Sequence, residues 1–287
     1  MTADASHAMG SFEEATRRVG VIKARRWIQE RSQIEKNALL VFGCVVVLLF
    51  LKLVVEDHDT LFLMAESVHF VGIGFLGHKL VREKNCTGLS LISQDLTAVF
   101  LTIRLYCSAM MEGDWHTLLD ALTLAATLWV VYSMRFIPHL RATYNREMDT
   151  VQALYVLVPC GITAIIAHPT TSHMYINRLL WAMCVYIEAV SVLPQLRMMQ
   201  KAKVVERFTA NYVFALGMAR FLSCAHWMLQ IFDGQSYLST AIGSGLWPVM
   251  VLLSEIVQTF ILADFCYYYV LSAAEGGGVV RLPAGVV

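Results

Sequence analysis

Apolar stretches of close to twenty residues alternate along this chain with short polar loops. A helix needs about 20 mostly apolar residues to cross a hydrocarbon core about 30 Å thick. Eight stretches approach that length, at roughly 35–55, 61–79, 89–111, 115–134, 151–168, 174–194, 208–231 and 246–272. The runs are too long and too continuously apolar for the alternating strands of a membrane barrel, which are about 10 residues each. The pattern therefore predicts an all-α polytopic membrane protein.

Lysine and arginine are sorted between alternate loops. They crowd the N-terminus (Arg17, Arg18, Lys23, Arg25, Arg26, Arg31) and the loops holding Lys79, Arg82 and Lys84, then Arg135, Arg141 and Arg146, then Arg197, Lys201, Lys203 and Arg207. The loops Glu56–Thr60, Glu112–Asp114, Pro169–His173 and Phe232–Gly245 contain neither residue. Basic loops stay on the cytosolic side, so the sorting predicts that both termini face the cytosol. The acceptor pattern Asn85-Cys86-Thr87 then lies in a cytosolic loop and is expected to carry no glycan. The basic N-terminal segment reads either as a flank that orients the first span or as an amphipathic helix on the leaflet.

Composition agrees, with 57% hydrophobic and 15% charged residues against about 25% charged in a soluble domain. Twenty-two basic residues balance 22 acidic ones, which gives no reason to expect a nucleic-acid partner. Six of the seven cysteines lie inside apolar runs, where free cysteine acts as a small hydrophobe, and no metal-binding spacing is present. No nucleophile–base pair, phosphate-binding glycine loop or cofactor motif is visible, so neither an enzyme nor a cofactor is expected.

The chemistry resides in charges placed where lipid makes them expensive. Arg104, Arg178 and Arg220 fall inside predicted spans, and each costs about 2.5–3.5 kcal/mol at a helix centre if unpaired. Glu66, Glu188 and Asp264 are candidate partners, and a bound anion is another source of compensation. These charges lock the bundle, bind a ligand, or do both. His69 can sense mild acidity through its ordinary pKa near 6.5, or serve as an interhelical hydrogen-bonding group. Trp181 and Trp227 either belong to an interfacial belt or wall a pocket. A polar-Gln pair before a buried arginine occurs twice (Ser93-Gln94 before Arg104, Pro194-Gln195 before Arg220), a weak echo of a duplication. A repeat would place spans two to four and six to eight in two three-helix bundles joined by span five, with ligand held between them.

From about Glu66 to Ala284 the chain resembles the receptors that return escaped proteins to the endoplasmic reticulum, the KDEL/HDEL receptor family. The resemblance is carried in order by Cys86-Thr87-Gly88-Leu89-Ser90 with Ser93-Gln94, Ala142-Thr143-Tyr144 with Asp149-Thr150, Tyr186-Ile187-Glu188, Leu193-Pro194-Gln195-Leu196, Tyr212 to Gly217, Val257-Gln258-Thr259 and Asp264-Phe265. It implies a seven-helix core at 61–272 arranged like the SWEET sugar transporters. An extra span at 35–55, a basic segment at 1–34 and a cytosolic tail at 273–287 would complete the chain.

The implied function is capture of the C-terminal tetrapeptide of luminal proteins in the acidic Golgi and release in the neutral endoplasmic reticulum, with lipid and vesicle coat machinery as further partners. In that likeness Arg104 and Arg220 would hold the signal's carboxylates and Trp181 and Trp227 would line the pocket. His69 would sense protons, Glu188 would couple them to closure, and Asp264 would serve trafficking. The chain departs from the pattern at Phe62, Cys107, Ala219 and Gln230, and Arg178 stands where the family has the glutamate that meets a basic first signal residue. An altered preference at that position is expected. The rival expectations are a small-solute transporter and a non-binding regulatory paralogue.

Overall fold

A computed structural model of the chain describes residues 58–111, 115–232, 245–274 and 280–281, together with Glu35. The basic N-terminal segment, the expected extra span beyond Glu35 and most of the C-terminal tail lie outside the described residues. The helices are α1 (His58–Arg82), α2 (Leu91–Met111), α3 (Trp115–Phe136), the single turn α4 (Pro138–Arg141), α5 (Leu154–Ile166), α6 (Tyr175–Val190), α7 (Leu193–Ala202), α8 (Arg207–Phe232) and α9 (Trp247–Ala274). A two-residue strand β1 (Val204–Val205) pairs antiparallel with β2 (Val280–Arg281), fixing the end of α9 against the start of α8.

The helix boundaries follow the apolar runs closely, and the exceptions have local causes. The sixth run continues past its expected end: α6 stops at Val190, and α7 begins after the two residues Ser191 and Val192, with Pro194 in its first turn. Proline lacks the N–H that an unbroken helix would need there and is tolerated at a helix start. Helix α7 is capped at its C-terminus by Lys203, whose φ of 59° is left-handed. Helix α5 has only 13 residues and carries Pro159 inside it, so it rises about 20 Å and is shorter than a full span. Among the described residues, five segments are long and apolar enough to cross a membrane: Thr60–Arg82, His116–Phe136, Tyr175–Ala202, Arg207–Leu229 and Trp247–Ala273. Helix α2 reaches 21 residues but carries Ser93, Gln94, Asp95, Thr97, Thr102 and Arg104.

The packing repeats between the two halves. Helix α3 packs on both α1 and α2, and α9 packs on both α6 and α8. The halves meet through α1 against α8 and α2 against α6, which closes a ring of six helices, and α5 lies against α6. At the α8–α9 crossing a Cβ added to Gly217 would overlap Cys266 Sγ, and at the α1–α8 crossing a Cβ added to Gly72 would come within 3.1 Å of Ala215 Cβ. Small residues at such crossings let helix backbones approach in a membrane protein. Outward-facing side chains such as Phe260, Tyr155 and Phe136 are exposed and apolar, as a lipid-facing surface requires.

Candidate ligand site

Inside the ring the intramembrane charges come together. Arg104 on α2 is buried and donates from Nε to both carboxylate oxygens of Asp120 on α3 at 2.9 Å, and from Nη2 to Asp120 Oδ1 at 2.5 Å. Its Nη1 donates to Glu188 Oε1 on α6 at 2.9 Å. The same Glu188 oxygen receives Arg220 Nη2 of α8 at 2.6 Å. One carboxylate thus bridges two guanidiniums from different halves of the ring, while a second holds Arg104 bidentately. Charged hydrogen bonds of this kind are short and directional, and arginine's planar fork suits them.

His69 on α1 is buried beside this centre and stacks on Phe100 at 6.3 Å. Two small cavities meet at His69, Glu188 and Arg220. One of about 10 Å³ extends between Ser93, Thr97, Ser191 and Gln258 toward the basic-loop end. The other, of about 20 Å³, extends between Phe62, Glu66, Arg104 and Ala219 toward the opposite end. About 10–15 Å³ is the least a water molecule needs. The structure is therefore a closed, self-paired form, in which the arginines are held by the chain's own carboxylates.

The remaining expected site residues lie around this centre rather than in it. Trp181 and Trp227 are partly buried in the apolar cluster of α2, α5, α6 and α9, with Trp227 edge-on to His226 at 5.6 Å. Arg178, in the first turn of α6, donates from Nη2 toward His168 Nδ1 at 3.1 Å and from Nη1 to the Thr171 carbonyl at 3.4 Å, and lies over the Tyr175 ring. Of the three acids expected to pair with the arginines, Glu188 does so. Glu66 instead meets His116 Nδ1 at 2.9 Å, and Asp264 is exposed on the outer side of α9, because its helix turns that face away from the ring. The acid that binds Arg104 most fully, Asp120, was not among the expected partners, and neither was the buried Glu255 of α9, which bonds Ser223. Both stand inside the apolar runs at 115–134 and 246–272, so the rule that singled out Glu66 and Glu188 applies to them equally.

Of the motifs that carry the family likeness, two supply Glu188 and Gln258 to this centre, and most of the others do something else. They converge at the basic-loop end and tie the helix starts together. Ser90 Oγ, the Ile92 amide and Tyr144 Oη all donate to Asp149. Gln195 accepts from the Ser90 amide and donates to the Gly88 carbonyl, each at 2.8 Å, and Gln94 donates to Tyr212 Oη at 2.9 Å. Burial pushes the Tyr144 hydroxyl well above its usual pKa, with Asp149 adding to the effect. Beside them the fully buried Lys79 donates to the Thr87 carbonyl at 2.7 Å, to Thr209 Oγ1 at 3.0 Å and to Glu206. Glu83 shares a hydrogen bond with Glu206, and burial together with that bond and the Glu206 charge pushes its carboxyl up to about 7.

Fold and centre together define a polytopic α-helical membrane protein whose helix ring encloses a buried network of two arginines and their carboxylates. The family model described as the ER lumen protein retaining receptor matches residues 85–230, just over half of the chain. An ER lumen protein-retaining receptor of Entamoeba histolytica is 32% identical over 215 residues, covering 74% of this chain and 93% of that protein. Receptor A of Arabidopsis thaliana is 31% identical over 205 residues (71% and 90%), and the erd-2.2 receptor of Caenorhabditis elegans is 32% identical over 220 residues (76% and 96%). The chain belongs to the ER lumen protein-retaining receptor family.

Proposed function

We propose that this chain captures the C-terminal retention signal of luminal proteins at the Arg104–Glu188–Arg220 centre and returns them from the Golgi to the endoplasmic reticulum. The observation that carries this reading is one carboxylate, Glu188, clamped between guanidiniums from opposite halves of the ring. Each arginine retains N–H groups beyond those used internally, so a peptide carboxylate can join them or displace Glu188. His69 lines both cavities at this point. A proton on His69 and an anion beside the arginines favour one another reciprocally, so anionic signals bind more tightly as pH falls.

In this reading the basic loops face the cytosol, the cavity at Phe62 and Glu66 faces the lumen, and residues 61–272 form the receptor core in a SWEET-like arrangement. The segments 1–34, 35–55 and 273–287 lie outside that core. Asp264, exposed on α9, is then available to trafficking partners such as coat machinery. Transport of a neutral solute is less well matched, because the charged groups lining the contact between the cavities suit an anionic group. The test is binding of peptides ending in HDEL or KDEL to the purified full chain at about pH 5.5 and about pH 7.2, which straddle an ordinary histidine. Acid-enhanced binding that needs a free C-terminus and is lost in Arg104→Ala and Arg220→Ala is the expected result. Binding unchanged in both variants would remove these arginines from the site.

A further inference from the structure

Arg104 and Arg220 are held by carboxylates, whereas Arg178 has no carboxylate partner among the described residues. Its Nη1 reaches the Thr171 carbonyl at a long 3.4 Å, its Nη2 meets His168 Nδ1 at 3.1 Å, and its Nε, shielded from solvent, has no hydrogen-bond partner. The dipole of α6 also opposes a cation in its first turn. What holds this guanidinium is therefore a neutral imidazole, and Nδ1 accepts from Arg178 only while it carries no proton. The same Nδ1 lies 3.1 Å from the Pro169 carbonyl, an acceptor it can use only when it does carry one. The two contacts exclude one another, so a single proton decides between them. The titratable groups facing the pair are the phenols of Tyr175 and Tyr186 on α6 and the Cys107 thiol on α2. The Tyr175 ring lies against both partners, Tyr186 Oη donates to the Ala167 carbonyl, and Cys107 Sγ lies 3.9 Å from the Asn177 carbonyl. The last turn of α5 and the first of α9 carry no titratable side chain.

We propose that His168 and Arg178 form an acid-opened site for a carboxylate side chain of the bound peptide, a contact that rests on the receptor reading above and adds to the Arg104–Glu188–Arg220 centre. With His168 neutral, its Nδ1 accepts from Arg178 and keeps the guanidinium beside the end of α5. Proton uptake turns Nδ1–H onto the Pro169 carbonyl, removes the acceptor and sets two cations side by side. The guanidinium then leaves, and its Nε and both Nη groups become available to a carboxylate, which an arginine fork binds bidentately. Imidazole is the side chain that changes charge between about pH 5 and pH 8. Arg178 precedes Glu188 by ten residues on α6, about 15 Å along the helix axis and about 80° around it, so the long side chain can turn toward His168 or toward the ring. An extended peptide advances about 3.3–3.6 Å per residue. With its terminal carboxylate at the buried arginines, the fourth or fifth residue from its end comes level with Arg178, and the site accepts aspartate or glutamate there.

The test uses the purified full chain and hexapeptides that end in Asp-Glu-Leu and carry either glutamate or glutamine at the fourth and fifth positions from the end. At about pH 5.5 the glutamate peptide is expected to bind at least about fivefold more tightly than the glutamine peptide, and at about pH 7.2 the two are expected to agree within about twofold. The ratio cancels any acid dependence contributed by His69, which both peptides share. Arg178→Met should abolish the glutamate preference at both pH values, and His168→Ala, which removes the acceptor, should extend it to about pH 7.2. Equal binding at about pH 5.5 would overturn the site, as would a preference of the same size at both pH values in the natural chain or one that survives Arg178→Met. A preference still confined to about pH 5.5 in His168→Ala would overturn the switch. Should either variant fail to fold, the natural chain's ratio at the two pH values decides alone. If neither peptide binds at either pH, the receptor reading fails, and acetate then tests the site by itself. Thermal stabilisation at about pH 5.5 by acetate beyond that of equal chloride, and lost in Arg178→Met, supports it, and no difference overturns it.

Discussion

Removing Asp120 should uncover how much of the ring's stability rests on charge balance. Arg104 directs Nε and Nη2 to Asp120 and only Nη1 to Glu188, and Glu188 Oε1 is already shared with Arg220. In Asp120→Ala the two guanidiniums share one directly bonded carboxylate, and Arg104 loses its bidentate partner at a site where Arg104 is 8% and Asp120 2% exposed. Breaking a buried pair in this way costs about 3–5 kcal/mol. Asp120→Asn keeps an acceptor oxygen while losing the charge, so it should cost about 1.5–3 kcal/mol, the worth of a charged hydrogen bond. Arg104→Met in the Asp120→Ala background removes the stranded charge and should recover much of the loss, giving a coupling of about 2 kcal/mol or more in a double-mutant cycle. The assay is equilibrium unfolding of the ligand-free chain in mixed micelles, followed by tryptophan fluorescence and circular dichroism. An Asp120→Ala chain within about 0.5 kcal/mol of the natural one, or a cycle that is additive, would refute the claim that this pair balances a buried charge.

The Glu83 carboxyl, raised to about 7 by burial and by Glu206, keeps a proton in the folded chain that the unfolded chain releases near 4.5. Stability should therefore fall as pH rises from about 4.5 to about 7 and level off above; Glu83→Gln should flatten that window and Lys79→Met should extend it upward, as read by unfolding at a series of pH values. Asp149→Asn weakens the charged acceptor for Ser90, the Ile92 amide and Tyr144, so it should cost about 1.5–3 kcal/mol per bond lost and speed hydrogen exchange at residues 90–94. Gly217→Ala should cost about 1–3 kcal/mol by overpacking the α8–α9 crossing. Cys266→Ala should rescue it, so that the double variant melts above Gly217→Ala alone.

The helices were legible because lipid leaves so little freedom: a run must be long and apolar, and its loops must sort their lysines and arginines. The ends of α1, α2, α3, α8 and α9 lie within a few residues of the runs that predicted them. The break before α7 was written in Pro194, which a hydropathy window averages away. Within the site, Arg104, Glu188 and Arg220 stood out as charges too costly to leave unpaired. Their pairing did not stand out, because Asp120 and Arg104 lie on different helices and no spacing along the chain sets which faces turn inward. Asp264 shows the converse, since an acid in an apolar run looks like a partner until its face of α9 is seen to point outward.

The family motifs misdirect in an instructive way. Their strongest matches, at Cys86 to Gln94 and at Leu193 to Leu196, build a hydrogen-bonded platform at the basic-loop end through Asp149, Gln195 and Tyr212. That platform fixes where α2, α7 and α8 begin, so a likeness concentrated there establishes the fold but says little about which ligand is preferred. At the other end of the ring Phe62, Glu66 and Ala219 line the cavity around the same two arginines, and behind it Asp120 binds Arg104 and Glu255 bonds Ser223; under the proposed function this is the end at which ligand preference would be set. A chain can keep the platform and the arginine pair while its preference moves with those few side chains. Exchanging Phe62 and Ala219, which carry no charge of the network, is therefore the route to altering what this receptor accepts with least effect on folding, whereas exchanging Asp120 also costs about 3–5 kcal/mol of stability.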